Sequence, residues 1–337
     1  MLLKQTFLSV SALAMLTTAS AAADMPVKAP APLPVVQQAT GYVEVYGGWA
    51  STRFSDNFCQ VGLGCDSFSE TFRGWALGGA GRGNYWVSPN MSVQLDAQAE
   101  GTSYKEDFGG GLTQNFSNHS YLIGGHINWR DSQRGLLGVF AGAGDAGGAF
   151  GDPRRHVVGG VEGQLYWNQF TLYVQGGYDT IVGGSFDGEP HAWFVRGTGR
   201  YLVTPNTVIE GTVLYANGKI EFNPLVEPPG AGTSQDFQTW LWEAKLEHRF
   251  ATTPFSAFVK YCGSETKYDT RTTFSIPPDT FTVETKVTDH RVLVGLRLYM
   301  GQNTLQSNDR NGATLDIIDP LGIQTGPLMS GPGGLAP

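Results

Sequence analysis

Six histidines, three cysteines and one glycine-rich run are the residues whose types and spacing could carry chemistry. Gly142-Ala143-Gly144-Asp145-Ala146-Gly147 fits the G-x-G-x-x-G pattern of a dinucleotide loop. That chemistry requires a helix immediately afterwards, whose N-terminal amides hold the pyrophosphate. Gly148-Ala149-Phe150-Gly151-Asp152-Pro153 follows instead and cannot be helical, so the run reads as a loop. A serine hydrolase needs its base beside its nucleophile. His119 and Ser120 are consecutive, so a strand sends them to opposite faces. His126 and His156 read as interior, His191 and His290 as loop ends, and His248 as outward near the rim of the tight turns. No two histidines have the H-E-x-x-H spacing. Asp187 and Glu189 suggest an exposed carboxylate site, but loops are often acidic simply to stay solvated. Cys59 and Cys65 lie in a polar, Gly-containing stretch that suits a loop disulfide in an exported protein. Cys262 stands alone inside an apparent strand, and this set does not have a zinc spacing. The expectation is a protein without catalytic residues, metal or cofactor.

The chain has 337 residues, with 46 Gly, 12% aromatic and only 15% charged residues. An average soluble chain has about 7% Gly and about 25% charge. So many aromatics and so few charges exclude intrinsic disorder. A net charge of -8 without a basic stripe excludes nucleic-acid binding. Beyond the leader no run reaches the roughly 20 apolar residues of a spanning helix. Lys4, the apolar stretch Phe7 to Leu16 and the small residues through Ala23 fit a cleaved secretory signal over 1–23. A Pro-rich periplasmic linker is expected over 24–40.

The elements that position everything else alternate with period two. Met91, Val93, Leu95, Ala97 and Ala99 alternate with Ser92, Gln94, Asp96, Gln98 and Glu100, and the same rhythm recurs along the chain. It predicts twelve strands: 41–51, 71–86, 91–103, 118–130, 136–144, 156–167, 169–179, 191–203, 207–217, 237–250, 255–264 and 289–300. Connections alternate between tight and long. Tight ones include Ser88-Pro89-Asn90 and Thr204-Pro205-Asn206, near copies in which Pro presets φ. Long ones span 52–70, 104–117, 145–155, 180–190, 218–236 and 265–288. This alternation is that of an all-β transmembrane antiparallel up-and-down β-barrel over 41–300, with short periplasmic turns, long extracellular loops and both termini periplasmic. Lipid admits a sheet only when it closes on itself.

Aromatics should then form two girdles. Tyr42, Tyr85, Trp86, Trp129, Trp167, Phe170, Tyr201, Phe250 and Phe255 fall at the tight-turn end. Trp49, Trp75, Tyr121, Tyr178, Trp193, Trp240 and Trp242 fall at the other.

Ala23-Asp24-Met25-Pro26-Val27-Lys28-Ala29-Pro30, followed by Gly41-Tyr42-Val43 entering a strand, resembles the start of alphaproteobacterial outer-membrane β-barrel surface proteins of the porin family. The last strand, Gly295-Leu296-Arg297-Leu298-Tyr299-Met300, is similar to the Gly-x-x-apolar-x-apolar signal of such barrels. The resemblance implies the outer membrane of a Gram-negative bacterium, outer-membrane lipid and the barrel-assembly machinery as partners, and Gly295, Leu298 and Met300 as assembly signal. Small members of that group have eight strands and usually stop at a terminal aromatic. This chain continues for 37 residues, Gly301 to Pro337, read as a flexible Gly/Pro-rich periplasmic tail.

If apolar positions face lipid, the interior receives Glu44, Arg82, Asp96, Glu100, Glu162, Arg196, Arg200, Glu210, Glu243, Lys245, Glu247, Arg249, Lys260, Arg291 and Arg297. Acids and bases nearly balance, which argues against strong ion selectivity. Two readings follow. Gly48, Gly78, Gly124, Gly138, Gly160 and Gly177 leave room beside these charges for a narrow pore. Alternatively the charges pair across the lumen and fill it. Eight-stranded barrels are filled and 16–18 strands leave a channel, so twelve lies between. The expectation is a porin-like passive channel for small hydrophilic solutes; the alternative is a non-conducting surface barrel that stabilises the envelope or binds partners through its loops.

Overall fold

The computed structural model describes residues 38–60, 64–107, 113–147, 154–182, 188–222, 232–273 and 280–318. The expected signal peptide, nearly all of the expected linker, Asp187 and the chain after Ile318 lie outside these residues.

Twelve strands form: β1 (Ala39–Gln60), β2 (Gly64–Ser88), β3 (Met91–Asp107), β4 (Thr113–Asp131), β5 (Gly135–Gly147), β6 (Arg154–Trp167), β7 (Phe170–Ile181), β8 (Gly188–Thr204), β9 (Thr207–Phe222), β10 (Gly232–Arg249), β11 (Phe255–Thr273) and β12 (Thr280–Met300). Each pairs antiparallel with its chain neighbours, and β1 pairs with β12, so the sheet is a closed barrel. Gly41 to Gln60 pair without interruption with Met300 to Phe281, which leaves no exposed edge.

Most strands are longer than the alternation indicates, chiefly on the side of the long connections, where β1, β2, β11 and β12 each gain seven to nine residues. Residues 52–60 and 64–70, expected as loop, are the distal part of the β1–β2 hairpin, and Cys59–Cys65 form a disulfide near its tip. These extensions carry polar residues on both faces, so hydrophobic alternation fades while backbone pairing continues. The Gly142–Gly147 run belongs to the same class. It is the end of β5, paired with β4 and β6, rather than a loop. His191 and His290 likewise lie within strands.

At the tight-turn end, the β2–β3 and β8–β9 hairpins share a register shift between Trp86/Ser88 and between Leu202/Thr204. Val87 and Val203 are the extra residues, so the two Val-Ser/Thr-Pro-Asn segments build the same bulge ahead of the same turn. Asn168 holds φ 50 in the β6–β7 turn, a conformation Asn tolerates.

The outer surface is a band of Val, Leu and Ile bounded by aromatics. On β2, Tyr85 is 49% and Trp75 71% exposed at its two limits. Their ten-residue separation spans about 33 Å along a strand, or about 25 Å of membrane normal at a tilt near 40°. That matches the apolar band of a transmembrane barrel. Most girdle residues face outward as expected. Tyr42 and Trp86 do not: both are buried inside the barrel. Consecutive residues alternate faces, so outward Tyr85 sends Trp86 inward, and outward Val43 does the same to Tyr42.

Candidate functional site

The inward residues of the strands build the lumen. Glu44, Arg82, Asp96, Glu100, Glu162, Arg196, Arg200, Glu210, Glu243, Lys245, Glu247, Arg249, Lys260, Arg291 and Arg297 are all buried or half-buried there. Most meet one another. Arg297 donates from Nε to Glu44 (2.7 Å) and from Nη1 to Glu247 (2.8 Å). Arg200 bonds Glu210 at 2.7 Å, Lys245 stands 3.2 Å from Glu210, and Lys260 stands 3.5 Å from Glu243. Arg291 contacts Glu100 and Asp289. His126, 1% exposed, lies between Asp96 (3.1 Å) and Glu162 (2.8 Å), and His156 contacts Asp179. His248 is exposed on the outer surface, beside Thr207. Among the described residues no group of three or more His, Cys, Asp or Glu is arranged to hold a metal.

The inward glycines do not leave empty room. Gly78, Gly177, Gly218 and Gly295 each lie directly opposite an aromatic on the adjoining strand: Tyr46, Phe194, Phe237 and Phe258 respectively. A Cβ at any of them would come within 3 Å of that ring. The glycines thus serve as seats for rings that cover the exposed backbone, an arrangement that pins register.

The larger correction concerns the tail. Its first eighteen residues, 301–318, are ordered and enter the barrel from the tight-turn mouth. Thr304 caps the short helix α1 (Leu305–Asn311): its Oγ1 accepts from Ser307 N at 3.0 Å, and Ser307 Oγ accepts from Thr304 N at 3.2 Å. Leu305 packs with Tyr42, Leu202, Val208, Tyr299 and Ala313. Inward Trp86 donates to Asn311 O at 2.9 Å, Arg130 to Gly312 O at 2.8 Å, and Arg249 to Gln302 O at 2.6 Å.

From Gly312 the chain runs extended into the lumen, covering about 20 Å by Ile318. Gln94 bonds both backbone groups of Leu315, donating to its carbonyl (2.7 Å) and accepting from its amide (3.2 Å). Gln175 and Tyr173 donate to Asp316 O. Arg200 holds Thr314 through its hydroxyl and carbonyl. The Asp316 carboxylate meets Arg196 at 2.7 Å, with Arg82 at 3.9 Å. Burial alone would raise the carboxyl pKa of Asp316, but Arg196 and Arg82 outweigh burial and hold it below the ordinary carboxylate range. Beyond it, Ile317 enters an apolar collar of Leu122, Phe140, Val158, Phe194, Leu214 and Leu241.

Around the inserted segment, one cavity of about 100 Å³ lies toward the tight turns, lined by Tyr42, Arg200, Glu210, Lys245 and Arg297. Another of about 200 Å³ adjoins Asp316 and Ile317, lined by Glu100, Glu243, Lys260 and Arg291. Period-two reasoning on strands therefore found the charged lining but missed Gln94, Arg130, Tyr173, Gln175 and the tail residues they hold. The signal was present in the Thr304-x-x-Ser307 capping pair and the alternation of Ala313, Leu315 and Ile317 with Thr314 and Asp316.

No protein-family model matches this chain, and no curated protein matches it in sequence. Its fold is similar to solved outer-membrane barrels. An outer membrane channel from Pseudomonas putida F1 superposes with a TM-score of 0.51 at 13% identity, covering 80% of this chain and 97% of that one. A Pseudomonas aeruginosa FadL homologue gives 0.40 at 10% identity, over 77% and 90%. The outer membrane protease OmpT from Escherichia coli gives 0.39 at 10% identity, over 77% and 97%. The first likeness is one of fold.

Proposed function

We propose that this chain is an outer-membrane channel for small polar solutes, of the porin-like kind, kept shut by its own C-terminal segment. The outer band of lipid-facing side chains and the barrel fold support a place in the outer membrane of a Gram-negative bacterium. In this reading the tight turns and both termini lie on the periplasmic side, as in other such barrels. One observation carries the gated reading: Arg196 on the wall takes its carboxylate from the tail, at Asp316, and not from another strand. Withdrawal of the segment would bare a hydrophilic wall that water can enter.

Conductance in planar bilayers tests this reading. The intact protein should be closed for most of the record. A variant ending at Met300 should conduct steadily and favour anions weakly, because Asp309 and Asp316 leave while Arg82, Arg196 and Arg200 stay. Arg196→Glu with Arg200→Glu in that truncated barrel should reverse the preference. A truncated barrel that folds yet stays silent would falsify the channel reading. It would favour the second, a non-conducting envelope barrel, which the wall-to-wall pairs of Arg297 with Glu44 and Glu247 support.

A further inference from the structure

Above the apolar band, the outward positions of β1, β2 and β3 carry a group of three cations without ion pairs among the described residues. Trp49 and Trp75 face each other across β1 and β2 and mark the upper limit of the band. The next outward residue on β2 is Arg73, which lies directly opposite Lys105 on β3. Arg53 on β1 occupies the diagonal position, since Arg73 pairs with Ser51 and Arg53 with Thr71. All three side chains are exposed. Two cations directly opposite on one sheet face repel and destabilise the pair.

At two other places beyond the band such charge is compensated. Lys267 and Lys286 are also directly opposite each other, and Glu265 lies between them at 3.8 and 2.7 Å. Lys219 is 3.8 Å from Asp236. Arg53, Arg73 and Lys105 have no ion pair among the described residues. Ser51, Ser55, Thr71, Ser103, Asn115 and Thr288, which adjoin them, are polar and neutral, and Asp107 stands two residues beyond Lys105 on β3. Hydroxyl and amide groups thus adjoin three cations: Arg73 lies two residues, about 7 Å, beyond Trp75, with Lys105 opposite it, and Arg53 lies four residues, about 13 Å, beyond Trp49.

We infer that Arg53, Arg73 and Lys105 seat the phosphates of an anionic lipid in the outer leaflet, with its acyl chains against Trp49, Trp75 and the apolar band below. The indole pair fixes the depth of the headgroup boundary. At that depth a lipid phosphate brings the negative charge that the facing pair lacks, and three donors at fixed spacing favour a headgroup with more than one phosphate. The site rests on the outer band being lipid-facing and is independent of whether the lumen conducts.

The test is retention of lipid by the full-length protein in detergent micelles, read by native mass spectrometry. The probes are a bisphosphorylated glucosamine lipid and the same lipid stripped of its phosphates. The phosphorylated lipid should stay bound, and Arg53→Gln/Arg73→Gln/Lys105→Gln should weaken retention on the order of 100-fold. Stripping the phosphates should weaken retention by the wild type as much, a comparison that needs no variant. Lys219→Gln, on the far side of the barrel, should change nothing. Equal retention by the triple variant, or equal retention of the stripped lipid, overturns the proposal. Displacement by inorganic phosphate at matching concentration overturns it too, in favour of a free-anion site. Tryptophan quenching in vesicles of brominated-chain phosphatidylcholine separates the two levels. Without quenching the membrane reading itself fails, whereas quenching with no phosphate preference sinks only the lipid seat.

Discussion

Asp316 enters a ring of polar wall residues that would otherwise present Arg196 and Arg82 without this counter-charge. Removing one partner of a buried pair costs about 3–5 kcal/mol, because the other charge is left buried and unpaired. Asp316→Ala should therefore unseat the segment, seen as protease cleavage within 301–318 and as channel openings in the otherwise intact chain. Its carboxyl pKa lies below the unfolded value, so its stabilising contribution is complete above about pH 4. That contribution is lost only as pH falls further, through the folded value. On the proposed channel reading, acidification from pH 7 to about pH 5 should accordingly leave the closed state unchanged. His126→Leu makes a separate prediction: Asp96 and Glu162 lose their shared partner, and unfolding in urea should shift by about 3 kcal/mol. Strand parity in the sequence identified Asp96, His126, Glu162 and Arg196 as interior, because charged residues alternate visibly with apolar ones. It could not identify Gln94 or Gln175 as holders of the tail, since a neutral amide on an inward face has no distinctive pattern until its partner is known.

Among the elements, strands are legible where one face is apolar and one polar, which is the part within the outer apolar band alone. Beyond Trp49 and Trp75 polar residues stand on both faces of the hairpin among scattered aromatics, so the alternation fades and predicts long loops where paired strand continues. The tail misled in the opposite sense. Its Gly- and Pro-rich end suggested flexibility for the whole, while Thr304 to Ile318 form a capped helix and an alternating strand-like segment that needs the barrel wall to complete it. Ile317→Ala should cost about 2–4 kcal/mol of seating through lost burial in the collar, and should raise the open fraction without disturbing the barrel. Reduction of Cys59–Cys65 should act elsewhere. It closes a short loop worth about 2 kcal/mol, so the hairpin tip should become protease-sensitive while the heat resistance of the barrel on gels is retained.

For the molecule as a whole, strand number alone leaves the interior undecided, and the described residues show what occupies it: rings over glycines, paired charges, and a length of chain from beyond the last strand. None of these changes the alternation of a strand, so the sequence pattern of a filled barrel and of an open one is nearly the same.

The unbroken pairing of β1 with β12 has a consequence for how the C-terminal segment comes to lie inside the barrel. The sheet has no cylinder to offer until its final strand is in place, and the sealing peptide is joined directly behind that strand. The segment is therefore already attached when the cylinder closes. Every newly made copy must either zip its seam around a waiting end or stand briefly ajar until the end threads home.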